Sequence, residues 1–215
     1  MTEGARHEVG TRVFLASRNG KKLEEMRRIL AEHVPDVEVL GLDDVVAYDE
    51  PVEDQPTFEG NALLKARAAV AATGLPSLAD DSGLCVDALN GMPGVLSARW
   101  AGPPKSDARN NELLLAQLAD VPDERGGAHF TCAVAFAYPI GAGGVAEHVV
   151  HGDMAGHVIR EVRGSGGFGY DVVFCAEGHT VTTAELPREE KDAISHRGKA
   201  LAAIAPVVAD VLAGL

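Results

Sequence analysis

The chain has few cysteines, few positive charges and no long apolar run. Only three of its 215 residues are cysteines, Cys85, Cys132 and Cys175, and no CxxC pair occurs. Each cysteine lies in an apolar, strand-like run, so we expect buried free thiols and neither a zinc site nor a disulfide framework. No apolar run approaches the roughly 20 residues that a membrane-spanning helix requires. The sequence therefore predicts no membrane partner.

Positive charge is scarce: 19 Lys and Arg stand against 32 Asp and Glu, a net charge of −13. This balance argues against nonspecific binding to nucleic acid or to anionic membranes. It allows a small anionic substrate, provided that cations gather locally and a divalent metal ion assists. Known phosphate and nucleophile motifs are also missing, since the chain has no GxxxxGK[ST] loop and no correctly spaced GxSxG.

The N-terminal segment, residues 1–11, is polar and lacks the apolar centre of a signal peptide. We expect it to be a short tail on a cytoplasmic protein. No internal repeat, low-complexity linker or composition change divides residues 12–215. The sequence therefore predicts a single domain over that range.

Apolar periodicity predicts an α/β fold in which strands and helices first alternate and consecutive strands follow. Helices are predicted at 19–33, 57–73, 106–118 and from Ser195 onward, with Thr57 and Ser195 as N-caps. Strands are predicted at 12–17, 37–42 and 129–139, and two more at 145–162, separated by a break near Gly152. Consecutive strands beside βα units predict a mixed sheet.

Residues 78–102, LADDSGLCVDALNGMPGVLSARWAG, form the segment around which the chain is organised. We expect a strand to end at Asp80 and Asp81 and the chain to turn at Ser82 and Gly83, so that a metal ion or ligand can approach the backbone. The ordinary alternative is a strand followed by an Asx turn. Adjacent residues of an extended strand point to opposite faces. One of the two acids is therefore expected to perform chemistry and the other to be secondary.

Three further segments carry candidate ligand-binding groups. In SRNGKKLEE, Lys22 lies in the first turn of a helix, where free N–H groups favour anions. In GSGGFGYDVVF, Phe168 lies among glycines that would let a planar ligand stack on its ring. His196 and Arg197, at the start of the last helix, have no structural need there and suit an anion or a carbonyl edge.

Two other features stay open at this stage. Asn61 and Lys65 are spaced i, i+4 on the helix that follows Thr57, and periodicity does not decide whether they face a cleft or its rim. The acidic loop between residues 43 and 56 is either a solvated face or the source of a carboxylate for a metal site.

Five ordered segments, SRNGKKLEE, TFEGNALLKA, residues 78–102, GSGGFGYDVVF and AELPREEKDAISHRGKAL, resemble the signature segments of the non-canonical purine NTP pyrophosphatase family, also called inosine triphosphate or dITP/XTP pyrophosphatase. The resemblance extends from about Val13 to the C-terminus. It implies an elongated mixed central sheet with flanking helices, two lobes around a nucleotide cleft, and a homodimer. It also implies Mg²⁺-dependent hydrolysis of ITP, dITP and XTP to the monophosphate and pyrophosphate.

The resemblance assigns roles to individual residues. Asp81 matches the catalytic general base and a metal ligand, and Glu53 matches the second metal carboxylate, with Glu50 and Asp54 as rivals. The residues that match substrate contacts are Ser17, Asn19, Lys22, Ser82, Phe168, Gly169, Tyr170, Asp171, Lys191, His196 and Arg197. The chain departs from the family pattern at Arg18 and Lys21, where glycine is common, and at Val172, where proline is usual.

Two alternatives to this function remain at the level of sequence. One is a related NTP pyrophosphatase that acts on other modified nucleotides, such as pyrimidines. The other is a nucleotide-binding protein that has lost turnover. The presence of both Asp81 and Lys22 argues against the second alternative.

Overall fold

The structure is a computed structural model that describes residues 12–214, so the predicted N-terminal tail lies outside the described residues. The strands are β1 Arg12–Leu15, β2 Glu38–Leu40, β3 Ser77–Val86, β4 Met92–Pro93, β5 Gly127–Ile140, β6 Gly144–Val158 and β7 Phe174–Ala176. The helices are α1 Gly20–His33, α2 Phe58–Thr73, α3 Asp107–Gln117, α4 Arg188–Ile194 and α5 His196–Gly214. The described strands all belong to one sheet, in the order β2-β1-β3-β5-β6-β7, with β4 paired to β3.

The sheet is mixed, as the sequence predicts. β1 pairs in parallel with β2 and β3, whereas β3, β5, β6 and β7 follow one another in antiparallel pairs. Helices cover both of its faces. α1 and α5 pack on one face around Leu78 and Val134, and α2 packs on the other around Ala79 and Ala135. The predicted α/β class, with a mixed central sheet and flanking helices, is confirmed.

The helix boundaries follow from capping side chains. Asn19, Thr57 and Ser106 each accept hydrogen bonds from backbone N–H groups in the first turns of α1, α2 and α3. α2 ends at Gly74, whose φ of 69° suits glycine. Ser195 accepts from Gly198 N at 2.9 Å and so caps α5, as predicted.

The predicted turn at Ser82 and Gly83 is wrong. β3 runs without interruption from Ser77 to Val86 and pairs with β5 along its whole length, with Asp81 opposite Ala133. Gly83 has a packing role instead, because a Cβ there would collide with Gly94 O and the Ser97 hydroxyl. Asp80 and Asp81 accept hydrogen bonds from side chains of α1, α2 and α5, so no turn is needed to expose them.

The predicted break near Gly152 is also wrong. β6 is one strand of 15 residues, and Gly152 pairs with Cys132 within its regular register. A Cβ at Gly152 would collide with His196 O and lie 2.7 Å from Ala200 N. Glycine at this position therefore lets α5 pack directly against the strand.

Two smaller predictions have clear outcomes. Cys85, Cys132 and Cys175 are buried free thiols, as predicted. Within residues 12–214, no helix combines the length and the apolar character that crossing a membrane would require.

Candidate active site

An open stretch of β3 creates the main cleft of the molecule. On the side of β3 away from β5, β1 pairs only with Ser77 and Leu78, and β4 pairs only with Cys85 and Val86. The intervening residues therefore lie at a gap in the sheet, where side chains from both faces reach a cleft of about 590 Å³. Its walls contain every residue assigned to the site from the sequence: Ser17, Asn19, Lys22, Glu53, Asp81, Ser82, Phe168, Gly169, Tyr170, Asp171, Lys191, His196 and Arg197.

The cleft is locally rich in positive charge. Its lining contains seven Lys and Arg residues and five Asp and Glu residues, whereas the whole chain has 19 against 32. The cationic members are Arg18, Lys22, Lys65, Arg99, Lys105, Lys191 and Arg197. A small polyanion is thus favoured in the cleft of an otherwise acidic protein.

One end of the cleft is the turn between β1 and α1. The Asn19 side chain accepts from Lys21 N at 3.1 Å and Lys22 N at 3.3 Å, and Asn19 N donates to the Ser17 hydroxyl at 3.3 Å. This arrangement holds the helix start, with its N-terminal N–H groups, against the cleft. The Lys22 ammonium donates to Asp80 Oδ2 at 3.0 Å. Asn19 therefore caps the first turn of α1, and Lys22 adds positive charge at this end of the cleft, which favours an anion.

Asp80 lies on the face of β3 that packs against α1 and α5, and it is 2% exposed. Its Oδ2 accepts from the Lys22 ammonium and from Arg197 Nε at 3.1 Å, and Ser82 Oγ lies 3.4 Å away. Burial alone would raise the pKa of Asp80, but the charges of Lys22, Arg197 and Lys65 hold it far below its ordinary value. Asp80 is therefore a permanently ionised anchor for two cations.

Asp81 lies on the opposite face, toward α2. Its Oδ2 accepts from Asn61 Nδ2 at 2.9 Å and its Oδ1 from Ser82 N at 3.1 Å. No cation forms a salt bridge with it in the described chain, and burial raises its pKa against the lowering effect of Lys65. Unlike Asp80, Asp81 lines the cleft. Its carboxylate is thus fixed in orientation and is able to accept a proton or bind a metal ion.

Glu53 is held over the cleft by two cations. Lys65 donates to its Oε1 at 2.6 Å, and Arg99 donates to its backbone carbonyl at 3.0 Å. Burial alone would raise the pKa of Glu53, but Lys65 makes the net shift downward. Of its rivals, Glu50 also lines the cleft but pairs with Arg18, whereas Asp54 is outside the lining.

The other end of the cleft is the glycine-rich loop that carries Phe168. Asp171 Oδ2 accepts from Phe168 N at 2.8 Å and from the Lys191 ammonium at 2.8 Å. Gly167 has a φ of 66°, and a Cβ there would collide with the Asp171 carboxylate. Two cations flank the Phe168 ring, with Lys191 Nζ 5.5 Å and Arg197 Cζ 5.6 Å from its centroid. The loop thus presents an ordered aromatic ring to the cleft.

The first two residues of α5 are buried in the cleft wall. The His196 ring stacks on Phe130 with centroids 4.9 Å apart, and burial together with the Arg197 and Lys191 charges holds the pKa of His196 well below 6.5. Arg197 donates to Asp80, to Glu25 Oε2 at 2.9 Å and to Ser82 Oγ at 2.9 Å. Three of its five N–H donors are therefore engaged, and within residues 12–214 the other two have no hydrogen-bond partner.

The donor set fits a magnesium ion. Within residues 12–214, no three His, Cys, Asp or Glu side chains form a metal-binding group. Mg²⁺, however, is commonly bound by one or two carboxylates together with substrate phosphates. Asp81 and Glu53 both line the cleft, and the Glu53 charge contributes to the raised pKa of Asp81, so the two carboxylates act on one another. They suit a cation that arrives with a polyphosphate.

Residues 13–207 match the family model described as the Ham1 family. The chain belongs to the Ham1 family. The resemblance seen in the sequence is therefore confirmed.

Proteins similar to this chain match more than nine-tenths of its length. A Nocardia farcinica protein named dITP/XTP pyrophosphatase is 58% identical over 199 residues, 92% of this chain and 95% of the relative. A crystal structure from Mycobacterium abscessus, named nucleoside-triphosphatase / dITP/XTP pyrophosphatase, is 53% identical with a TM-score of 0.72 and covers 91% of this chain and 99% of its own. A HAM1 protein from Coxiella burnetii is 39% identical with a TM-score of 0.80, over 93% and 98% of the two chains.

Sequence reasoning left several residues in or beside the cleft unassigned. Lys65, whose position was open, lies in the cleft between Glu53 and the Asp80 carbonyl, to which it donates at 2.6 Å. Asn61 is fully buried and bonds to Asp81. Their i, i+4 spacing was the available signal. No sequence signal pointed to Glu25, the buried partner of Arg197. A second acid in a helix start that reads KKLEE is typical of an exposed surface.

Proposed function

We propose that this chain hydrolyses non-canonical purine nucleoside triphosphates, ITP, dITP and XTP, to the monophosphate and pyrophosphate, with Mg²⁺ as the cofactor. The observation that carries the proposal is that three kinds of functional group line the same cleft. A phosphate-suited turn at Lys22, a fixed carboxylate at Asp81 and an aromatic ring at Phe168 lie in a single cation-rich cavity. The names of the Ham1 relatives agree with this activity.

Asp81 acts as the general base in this proposal. Its carboxylate takes a proton from the water that attacks the α-phosphorus, and pyrophosphate leaves. A raised pKa makes the carboxylate a better proton acceptor than an ordinary aspartate, and the donors Asn61 and Ser82 N fix its direction. Run in ¹⁸O-labelled water, the reaction should place the label in the monophosphate. Label in pyrophosphate would contradict attack at the α-phosphorus.

The remaining residues bind and neutralise the substrate. Lys22 and the start of α1 face the phosphates, and Phe168 stacks on the base. Asp81 and Glu53 would hold Mg²⁺, which when bound would neutralise phosphate charge and polarise the phosphoryl group under attack. Lys65 keeps Glu53 in place through its 2.6 Å bond.

The proposal extends to the biological setting. We expect a homodimer that acts in the cytoplasm on free nucleotides, without a nucleic-acid or membrane partner, since the net charge of −13 opposes both surfaces. Light scattering coupled to size-exclusion chromatography would test the dimer.

The decisive experiment is pyrophosphate release from ITP, XTP, dITP, dUTP and ATP with Mg²⁺ and with EDTA. We expect turnover of the three non-canonical purines only with Mg²⁺, and little turnover of ATP. Preferential turnover of dUTP would favour an enzyme for other modified nucleotides. Binding of ITP without release of pyrophosphate, in the wild-type chain, would favour a protein that has lost turnover. The Asp81→Asn variant is the matched control for contaminating activity.

A further inference from the structure

Helix α3 holds the backbone of Gly169, in the glycine-rich loop, through both its N–H group and its C=O group. Gly169 N donates to Asp107 Oδ2 at 2.8 Å, and Gly169 O accepts from Asn111 Nδ2 at 2.9 Å. The two helix residues are one turn apart, so their side chains lie together on one face of α3. Gly169 itself has a φ of 63°, a conformation that glycine adopts readily.

The needs of α3 itself do not explain this contact. Ser106 already caps the helix by accepting from Arg109 N. Asn111 is 5% exposed, and its Oδ1 is buried without a hydrogen-bond partner in the described chain. Burial of an unpaired amide oxygen is unfavourable. The contribution of Asn111 therefore lies in the bonds that its Nδ2 donates, to Asp107 O and to the loop.

The Gly169 N–H group that Asp107 holds belongs to the peptide that directly follows Phe168, and the Gly169 C=O group that Asn111 holds belongs to the next peptide. On the other side of Phe168, the N–H group is fixed by Asp171 Oδ2 at 2.8 Å. Both peptides that flank the aromatic residue are therefore held, one from within the loop and one by α3. Tyr170 adds a third attachment by donating to Ser97 O at 3.0 Å. A ring on a glycine-rich loop would otherwise sample many orientations, and stacking would then cost ordering entropy.

We propose that Asp107 and Asn111 are positioning residues that hold the two peptides on either side of Gly169, so that Phe168 presents a fixed stacking surface to the base of the nucleotide. The inference rests on the proposed function, in which Phe168 binds the base. It predicts that Asp107 and Asn111 affect binding of the base and leave binding of the pyrophosphate group unchanged.

A double-mutant cycle tests this inference. Asn111→Ala and Asp107→Ala should each raise the KM for ITP by about five- to thirtyfold, a part of the full stacking contribution, and change kcat by less than about twofold. Inhibition by pyrophosphate, which lacks a base, should stay within about twofold of wild type. In the Phe168→Ala background, the same substitutions should raise KM by less than about twofold, because the ring on which they act is gone.

Two variants serve as controls. Asp107→Asn keeps an oxygen that can accept from Gly169 N and should restore most of the affinity lost in Asp107→Ala. Glu112→Ala alters an exposed neighbour on the same helix and should behave as wild type. Thermal unfolding of each variant identifies any that fail to fold.

An equal rise in KM with and without Phe168 would overturn the inference, as would a matching loss of pyrophosphate affinity. If the wild-type chain bound ITP but did not hydrolyse it, the same cycle would be measured as equilibrium ITP binding in EDTA. Failure of the proposed function and failure of this inference are therefore distinguishable.

Discussion

The two faces of β3 place neighbouring aspartates in opposite environments. On the α1 and α5 side, Asp80 contacts two cations and lies outside the cleft lining. On the α2 side, Asp81 contacts an amide and a backbone N–H, and it lines the cleft. Cations lower the pKa of Asp80, and burial raises that of Asp81. Identical side chains one residue apart are thus divided into an anchor and a candidate base by what packs on each face.

The largest expected effect falls on catalysis at Asp81. Asp81→Asn should lower kcat for ITP by at least about 10²-fold, the lower end of general-base effects, because an amide does not take the proton from the attacking water. Its fold should survive, since no salt bridge is lost. Pyrophosphate release and circular dichroism would measure the two properties. Unchanged kcat with normal Mg²⁺ dependence would remove Asp81 from the proposed role.

Asp80 is expected to show the opposite balance, with a large loss of stability. Asp80→Asn leaves the buried Arg197 and the Lys22 ammonium without their shared carboxylate, which should lower the free energy of unfolding by about 3–5 kcal/mol. Urea denaturation of both asparagine variants provides the comparison. A loss at Asp81→Asn as large as at Asp80→Asn would mean that the two faces do not differ in the way described.

Arg197 sharpens the comparison because it lies on the Asp80 side and still lines the cleft. Its two unengaged N–H donors suit the 6-keto oxygen of hypoxanthine or xanthine, whereas adenine presents an amino group there. Arg197→Ala should lower kcat/KM for ITP by about 10–200-fold and leave the weak activity on ATP nearly unchanged. The ratio of the two activities corrects for any loss of folded protein. Equal losses would assign Arg197 to the phosphates.

The smallest expected effect is a change of stability with pH. Because the folded-state pKa of Asp80 is lowered below its ordinary value of 3.8, its stabilisation is fully present above that value and is lost as pH falls below it. The difference in unfolding free energy between wild type and Asp80→Asn should therefore be constant above about pH 5 and shrink below about pH 4. The measurement is made in EDTA, and a constant difference down to about pH 3 would contradict the assignment.

The sequence alone predicted much of the local structure. Asn19, Thr57, Ser106 and Ser195 lie at helix starts because side-chain caps act over two or three residues, within the reach of a sequence pattern. The alternation of side chains along a strand likewise put Asp80 and Asp81 on opposite faces of β3. The same local reasoning wrongly predicted a turn at Ser82 and Gly83 and a break near Gly152. The glycines at these positions leave room for neighbouring elements to pack closely and do not turn the chain.

The division of labour between Asp80 and Asp81 was decided only by the tertiary structure. The sequence placed the two acids on opposite faces, because side chains alternate along a strand. It did not say which face would bring Lys22 and Arg197, 58 and 117 residues from Asp80, to the same carboxylate. It also gave no role to Glu25, or to Asp107 and Asn111, whose side chains are hydrogen-bonded to the Gly169 backbone. Charge pairing and burial depend on distances in space, and those distances are set by how α1, α3 and α5 pack around the sheet.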